Sequence, residues 1–465
     1  MRKIKPQFIT QVSSFIDQKY EIESEFDLSI STDSRSYNAE SIFVALCGES
    51  FNGIDYAEQV IKNGCKIIIY TDSSTANSKR KELEVLYPEI NFIRTKNSTV
   101  FLQEIAHIKR KNWKGKIISL TGSNGKTTTK EMIVHILKSF FADKVHGTQG
   151  NFNNHIGVPY TLLELDEKHE VAVVEMGTNH PGEIKVLCDI ANPNDGMITN
   201  IGDSHLEFFK SRKNVFYEKK ALFDEVVGNK GLFLINKDDP FLENLEYENS
   251  IKVGESSDSD FALKLSHNQV HVVDKSKKYF EEVTIKNKNV FGEHNFRNMA
   301  HAFIFLSCLY PEQVESFKDA CEDFLPKSNR SSLIKVNEQQ IFLDAYNANP
   351  SSMMAAIEAF ESILSNNKIS KDECVLVLGD MNELGDSCED LHAQVGKKIS
   401  EKGFNNIRLL GRYADFYSKG INKKQMSFKD VESYSKKWSE DKKLFKYIFI
   451  KGSRSLQLES LMDIN

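Results

Sequence analysis

The sequence predicts an α/β protein of three domains: a small α/β N-terminal domain, a central domain on a P-loop-type, mostly parallel sheet with flanking helices, and a C-terminal Rossmann-like domain. Three observations predict this class. Short, continuous apolar runs alternate with helical stretches, the pattern of parallel strands buried on both faces. A glycine turn, Thr121-Gly-Ser-Asn-Gly-Lys-Thr-Thr128, joins one such run to a helix. The chain has 465 residues, and at roughly 100–200 residues per domain that length asks for about three cores.

The elements follow in order. Residues 41–46 and 66–70 are strand-like runs, with a helix-like stretch between them that ends at Asn63-Gly64. The Ser-, Asn- and Lys-rich stretch 71–81 predicts a loop. The second region opens on the apolar run 117–120. After the glycine turn, Met132, Ile133, Ile136, Leu137, Phe140 and Phe141 share one helical face. Buried-type strands follow at 171–174, 197–201 and 231–235, and 258–289 reads as short β-strands in a charged surround. The third region repeats the α/β alternation, with strands at 340–343, 374–378, 407–410 and 447–450 and a helix at 351–364. The predicted domains are 1–112, 113–326 and 327–465.

Composition excludes several classes. Hydrophobic residues at 40% supply real cores, and nine prolines with 27% charged residues do not describe a disordered chain. A net charge of -6 makes no electrostatic case for nucleic acid as a partner. The first ten residues lack the apolar core of a signal peptide, and no run of about 18 apolar residues predicts a membrane span. The seven cysteines are scattered without a Cys-x-x-Cys pair, so reduced thiols in a cytoplasmic protein are expected. Nothing predicts an obligate assembly, and a monomer is expected.

The turn at 121–128 carries the chemistry. Gly122, Ser123, Asn124 and Gly125 let backbone N–H groups face phosphate oxygens at a helix N-terminus. Lys126 reaches the β/γ-phosphates, the Thr127 hydroxyl suits Mg²⁺, and Thr128 continues the helix start. A strict Walker pattern needs glycine at position 120, where this chain has Leu120. Glu175 closes a predicted strand on the ligand side of an open sheet, where it serves a metal or is a surface group. His205, after the next strand, is a metal ligand, a phosphate contact or a structural histidine. Residues 210–220 carry five basic side chains, either a solvated face or neighbours of a phosphate. Asn151 and Asn154 sit in the amide-rich segment 150–159, which suits sugar or peptide recognition and equally a plain turn.

Taken together, the segments resemble the Mur ligase family. The resemblance rests on Thr32-Asp-Ser-Arg35, the Gly122-x-Asn-Gly-Lys-Thr-Thr128 signature without the early glycine, 151–159, Glu175-Met-Gly-Thr-Asn-His180 and Ser204-His-Leu-Glu207. Gly292-Glu-His-Asn-Phe-Arg-Asn298, Asp344-Ala-Tyr-Asn-Ala-Asn-Pro350, Leu378-Gly-Asp-Met-Asn-Glu-Leu-Gly385 and Lys451-Gly-Ser-Arg454 extend it. The last blocks favour the member that joins D-alanyl-D-alanine to a UDP-linked muramoyl tripeptide. A diamino-acid ligase would carry an Asp-Asn-Pro-Arg-type motif, absent here. A folate polyglutamate ligase, or a nucleotide-binding protein without catalysis, could also be built on this scaffold.

The resemblance implies ATP and Mg²⁺ as cofactors. It implies phosphate and first-metal contacts from Lys126 and Thr127, and second-metal contacts from Glu175, His205 and a carbamylated Lys219. Asn295 would meet the adenine nucleotide, with His294 and Asn298 shaping that pocket. Arg330 and Asp344 would clamp it, and Tyr346, Asn347 and Asn349 would line the same interface. Asp33, Ser34 and Arg35 would hold the uridine nucleotide. Two departures stand out: Glu218 replaces the usual small residue before the lysine, and Asn52-Gly53-Ile54 replaces Asp-Gly-His.

Overall fold

The computed structural model describes residues 2–16, 28–35, 41–48, 50–266, 268–327, 329–423 and 425–463. Its N-terminal sheet has the order β1-β2-β3-β6-β7, made of β1 (Lys3–Ile4), β2 (Leu28–Ser31), β3 (Ser41–Ala45), β6 (Ile67–Thr71) and β7 (Asn91–Thr95). Only β1 runs antiparallel. A hairpin of β4 (Cys47–Gly48) and β5 (Phe51–Asn52) follows β3, and helices α1 (Ala57–Lys62), α2 (Ser74–Leu86) and α3 (Ser98–Asn112) complete the unit. The stretch 71–81, expected to be a loop, is largely the first half of α2. Ser73 caps it by accepting from Ala76 N, and buried Ala76 and Leu83 anchor it, so capping and packing outweigh composition.

The central sheet has nine strands in the order β16-β15-β14-β13-β12-β11-β8-β10-β9. These are β8 (Lys116–Thr121), β9 (Val145–Gly147), β10 (Val171–Glu175), β11 (Asp195–Ile198), β12 (Phe233–Asn236), β13 (Ser250–Gly254), β14 (Phe261–Ser266), β15 (Gln269–Asp274) and β16 (Glu282–Lys286). The run from β9 to β14 is parallel, and β15 and β16 add an antiparallel edge where the sequence showed short strands in charged surroundings. Helices α4 (Lys126–Phe141), α5 (Gly157–Leu163), α6 (Glu183–Ala191), α7 (Leu206–Phe209), α8 (Arg212–Gly228), α9 (Glu293–Leu309) and α10 (Val314–Asp323) surround it. Two boundaries differ from expectation: β11 ends at Ile198, freeing residues 199–201 for the site, and β12 begins at Phe233. On α4, Met132, Ile133, Ile136 and Leu137 are buried as expected, but Phe140 in the last turn is 45% exposed.

The C-terminal sheet has the order β17-β18-β22-β19-β20-β21, from β17 (Ser332–Val336), β18 (Gln339–Asp344), β19 (Cys374–Gly379), β20 (Ile407–Leu410), β21 (Gln425–Phe428) and β22 (Tyr447–Lys451). All but β17 are parallel. Helices α11 (Pro350–Asn366), α12 (Cys388–Glu401), α13 (Ala414–Gly420) and α14 (Val431–Leu444) cover its faces. All seven cysteines are free, as expected for reduced thiols. No helix among the described residues is long and apolar enough to cross a membrane.

The three units are joined unequally. Phe101, Leu102 and Ile105 of α3 share one buried cluster with Val158 and Leu162 of α5 and Ile184 and Leu187 of α6. Each such side chain contributes about 1.5–3 kcal/mol, so the N-terminal unit is docked through a common core. The buried clusters of the C-terminal unit hold only its own side chains, with partly buried Phe291 of the central unit packed against one of them. Its described hydrogen bonds to the phosphate-loop region are polar ones, a few interactions of about 1 kcal/mol each. The C-terminal unit therefore shares less buried apolar surface with the centre than the N-terminal unit does.

Candidate functional site

The site forms where β8 ends. Gly122 takes φ +155 and Gly125 φ +79. A Cβ on Gly122 would lie 1.9 Å from Thr199 Oγ1, and one on Gly125 would lie 2.7 Å from Asn298 Nδ2, so the turn admits no side chain at either place. The turn is pinned from outside: Asn124 N donates to Asn200 Oδ1 (3.0 Å), and Thr199 Oγ1 and Asn200 Nδ2 donate to Asn124 O. The amides of a rigid turn at the start of α4 make the concave, partly positive seat an anion needs.

A cavity of about 820 Å³ opens over this turn, lined from the central and C-terminal units. It gathers Ser123, Asn124, Gly125, Lys126, Thr127, Thr128, Asn151, Asn154, Glu175, His205, Asn295, Arg330, Asp344, Asn347 and Asn349, residues spread over more than 200 positions. Gly122 lies beneath it. Lys219 is buried next to it at 1% exposure. Asp33, Ser34 and Arg35 lie outside it, in the loop after β2. Ser31 pairs level with Phe43, so that loop and the β4–β5 hairpin leave the N-terminal sheet at the same end. There the Asp33 carboxylate holds Arg35 through Nε at 2.9 Å and Nη2 at 3.0 Å.

Charge is placed with care. Lys126 Nζ donates to Gly122 O (2.6 Å) and Ser123 O (3.3 Å), and burial holds its pKa below the ordinary lysine value. Lys219 is pushed further down, first by burial and then by the nearby Lys126 ammonium. Glu175 is 1% exposed; its Oε1 accepts from Thr127 Oγ1 (3.0 Å) and Asn153 Nδ2 (2.8 Å), while Oε2 has no partner. An orphaned carboxylate oxygen beside a hydroxyl and a phosphate seat fits a hard cation. No cluster of three or more His, Cys, Asp or Glu converges among the described residues, so beyond single side-chain contacts such a cation would fill its shell from phosphate and water. A buried Lys219 whose charged form is disfavoured likewise fits carbamylation. His205 Nδ1 lies 2.5 Å from Glu383 Oε2 of the C-terminal unit, a close contact without hydrogen-bond alignment. The contact holds Glu383 below the usual carboxylate range.

On the opposite flank, Asn295 Nδ2 donates to Phe291 O, and burial pushes His294 down to about 4. Arg330 lies over the Tyr346 ring at 3.7 Å. Asp344 pairs with Lys451 at 2.6 Å, and Lys451 also donates to Asn347 O. Asn349 caps α11 through Ser352 N and donates to Asn124 Oδ1 (2.7 Å), while Asn124 Nδ2 donates to Ser351 Oγ (2.9 Å). The C-terminal unit thus touches the phosphate loop itself.

Several contributors went unseen in the sequence. Asn153, not Asn154, reaches Glu175; Asn154 spends its carbonyl on Ile156 N and Gly157 N, the plain-turn use of such a segment. Thr199, Asn200 and Ser351 are ordinary polar residues whose only signal was adjacency to a strand end or helix start. Of the basic stretch, Arg212 pairs with Asp203 beside the cavity, Lys220 pairs with Asp224, and Lys219 turns inward.

Comparison with known proteins gives the chain its relatives. Residues 29–110 match the family described as Mur ligase family, catalytic domain, residues 120–306 match Mur ligase middle domain, and residues 329–453 match Mur ligase, glutamate ligase domain. The UDP-N-acetylmuramoyl-tripeptide–D-alanyl-D-alanine ligase of Bacillus subtilis is 32% identical over 93% of this chain and 92% of that one. The enzyme of the same name from Rickettsia prowazekii is 31% identical over 92% and 93%. A crystal structure of MurF from Acinetobacter baumannii superposes with a TM-score of 0.84 at 26% identity, covering 99% of this chain and 98% of that one.

Proposed function

The chain belongs to the Mur ligase family, and from that premise we propose that it is the ATP-dependent ligase that joins D-alanyl-D-alanine to UDP-N-acetylmuramoyl tripeptide in peptidoglycan precursor synthesis. The observation that carries this reading is the pinned glycine turn with Lys126 at the floor of a cavity completed by Arg330, Asp344 and Asn349 of the C-terminal unit. The N-terminal unit would hold the uridine nucleotide through Asp33, Ser34 and Arg35, and Asn295 and Arg330 would hold ATP. The domains would be 1–112, 113–326 and 327–465, in a monomeric, cytoplasmic enzyme.

The reaction runs in two steps. The tripeptide's terminal carboxylate attacks the γ-phosphoryl group; ADP leaves and an acyl phosphate forms. The neutral dipeptide amine then attacks the acyl carbon, and the tetrahedral intermediate collapses with loss of inorganic phosphate and a proton. Lys126 and the turn amides neutralise and orient the transferring phosphoryl group. Docking of the C-terminal unit excludes water from the acyl phosphate. Thr127, Glu175, His205 and a carbamylated Lys219 would hold Mg²⁺, which supplies further charge neutralisation when bound.

The test is phosphate release from ATP with UDP-muramoyl tripeptide, with and without D-alanyl-D-alanine, followed by product masses. Release that requires the dipeptide, with a product heavier by the dipeptide less water, is expected. Release indifferent to the dipeptide refutes the assignment.

A further inference from the structure

Glu218 stands where a small side chain was expected, and its surroundings give it a task. It is 8% exposed, and both oxygens are committed. Oε1 accepts from Thr178 Oγ1 (3.1 Å) and Ile184 N (2.8 Å), and Oε2 accepts from Gly182 N (2.6 Å). None of these donors is the neighbouring Lys219. Helix α6 has no side-chain cap of its own at Gly182. Glu218 supplies the missing acceptors from α8, placing a carboxylate where the amides of α6 are unsatisfied. Glu183 adds a second clasp by accepting from Asn179 N (2.6 Å) and His180 N (3.1 Å).

The segment so held, 177–183, lines the cavity through Gly177, Thr178, Asn179, His180 and Glu183. Its side of the cavity follows from strand order. The phosphate loop leaves β8; the loops after β10 and β9, with 177–183 and Asn151, lie on one side of it. The loops after β12 and β13 lie on the other side, where Asp238 and Glu255 hold Arg297 of α9, two residues from Asn295. The adenine side and the 177–183 side are therefore opposite flanks of one phosphate seat.

We propose that Glu218 is a positioning residue for the carboxylate-bearing substrate: by tying 177–183 to the helix that carries Lys219, it fixes the flank on which the muramoyl peptide lies relative to the γ-phosphate. This rests on the ligase reading of the chain. It also accounts for the tolerance of an acid beside Lys219, since the carboxylate is fully engaged elsewhere.

Glu218→Gln tests it, because one amide nitrogen must then face a donor. Charge-assisted bonds of this kind make local opening roughly tenfold or more easier when lost. Hydrogen exchange of the unliganded protein should therefore speed up about tenfold at Gly182 and Ile184, with the remainder of the central sheet unchanged. In turnover, KM for the UDP-tripeptide should rise about tenfold while KM for ATP stays within about twofold. A merely structural role would lower the active fraction, reducing kcat and leaving both KM values alone. Glu218→Asp, which keeps the charge but shortens the reach, should shift both readouts in the same direction and less far. Unchanged exchange at 178–184 in both variants, or faster exchange with an unmoved tripeptide KM, overturns the proposal. Loss of dipeptide-dependent phosphate release in the wild type would instead sink the ligase reading, and the exchange experiment would still stand.

Discussion

Lys126→Met removes an ammonium and keeps nearly the same shape. At a centre-to-centre distance of roughly 4 Å and an effective dielectric near 20, one ammonium–phosphate interaction is about 4 kcal/mol. That is about a 10³-fold loss in rate if the interaction is made fully only in the transition state. The structure supplies the control. Lys126 Nζ sits among the carbonyls of Gly122 and Ser123, and burial disfavours its charged form. Replacing this cation by a thioether removes a desolvation cost and two hydrogen bonds together, so the variant should melt close to the wild-type temperature. Its stabilisation by added ATP should fall sharply. The assay is phosphate release with saturating tripeptide and dipeptide, with ATP varied. A variant with kcat/KM for ATP within about tenfold of wild type, or one that melts lower yet still responds fully to ATP, would refute the reasoning.

The remaining predictions concern the same site and the core beneath it. Ser351→Ala deletes the acceptor for Asn124 Nδ2; one neutral hydrogen bond of about 1 kcal/mol should cut turnover roughly fivefold and reduce the compaction seen by small-angle scattering with ATP and tripeptide. Turnover and compaction both at wild-type values would show that this contact does not stabilise the closed state. With ¹³C-bicarbonate, the wild type should show a carbamate resonance that is absent from Lys219→Arg; no such resonance in the wild type would remove the carbamate from the site. His301 is fully buried with neither ring nitrogen partnered, and burial pushes it down to about 3. In the unfolded chain it titrates near 6.5, so as pH falls below that value the unfolded state takes the proton first and stability is lost, by about 2 kcal/mol at pH 5. His301→Leu should flatten this part of the acid dependence of melting between about pH 7.5 and 5, and equal losses in both proteins would contradict it.

The parts of this molecule that were legible in its sequence are those where local chemistry and global packing agree. The runs at 171–174 and 374–378 are buried on both faces, so they read as parallel strands and are β10 and β19. The turn at 122–127 was legible because two glycines, a lysine and a threonine at a helix start have few other uses together. Misreadings came where packing overrode composition. The Ser- and Asn-rich start of α2 is a helix because Ser73 caps it and Leu83 buries it. Asn153 and Asn154 are equivalent on paper, yet only the backbone path of 151–157 decides which side chain meets Glu175. Glu218 looked like an irregularity in a motif because its partners, Thr178, Gly182 and Ile184, lie more than 30 residues away.

The charges around the cavity carry an argument about order. Arg212 pairs with Asp203, Arg297 with Asp238 and Glu255, and Lys451 with Asp344. Lys126, whose charged form is disfavoured by burial, favoured by Glu175 and more weakly disfavoured by Arg330, forms no ion pair within 4.0 Å among the described residues, and neither does Arg330. A second lysine, Lys219, is buried beside Lys126 and is pushed toward neutrality by burial and by that neighbour. Lys126 and Arg330 are thus the two cavity cations left for the triphosphate to pair with. Once the triphosphate is seated, the repulsion between Lys126 and Arg330 is outweighed by attraction, and the C-terminal unit that carries Arg330 gains a reason to dock. The tripeptide carboxylate, itself an anion, meets a better-neutralised γ-phosphate after that docking than before it. ATP should therefore bind the free enzyme first. Product-inhibition patterns in which ADP competes with ATP, and the tripeptide binds measurably only when nucleotide is present, are what this charge arrangement requires; tight tripeptide binding to the nucleotide-free enzyme would contradict it.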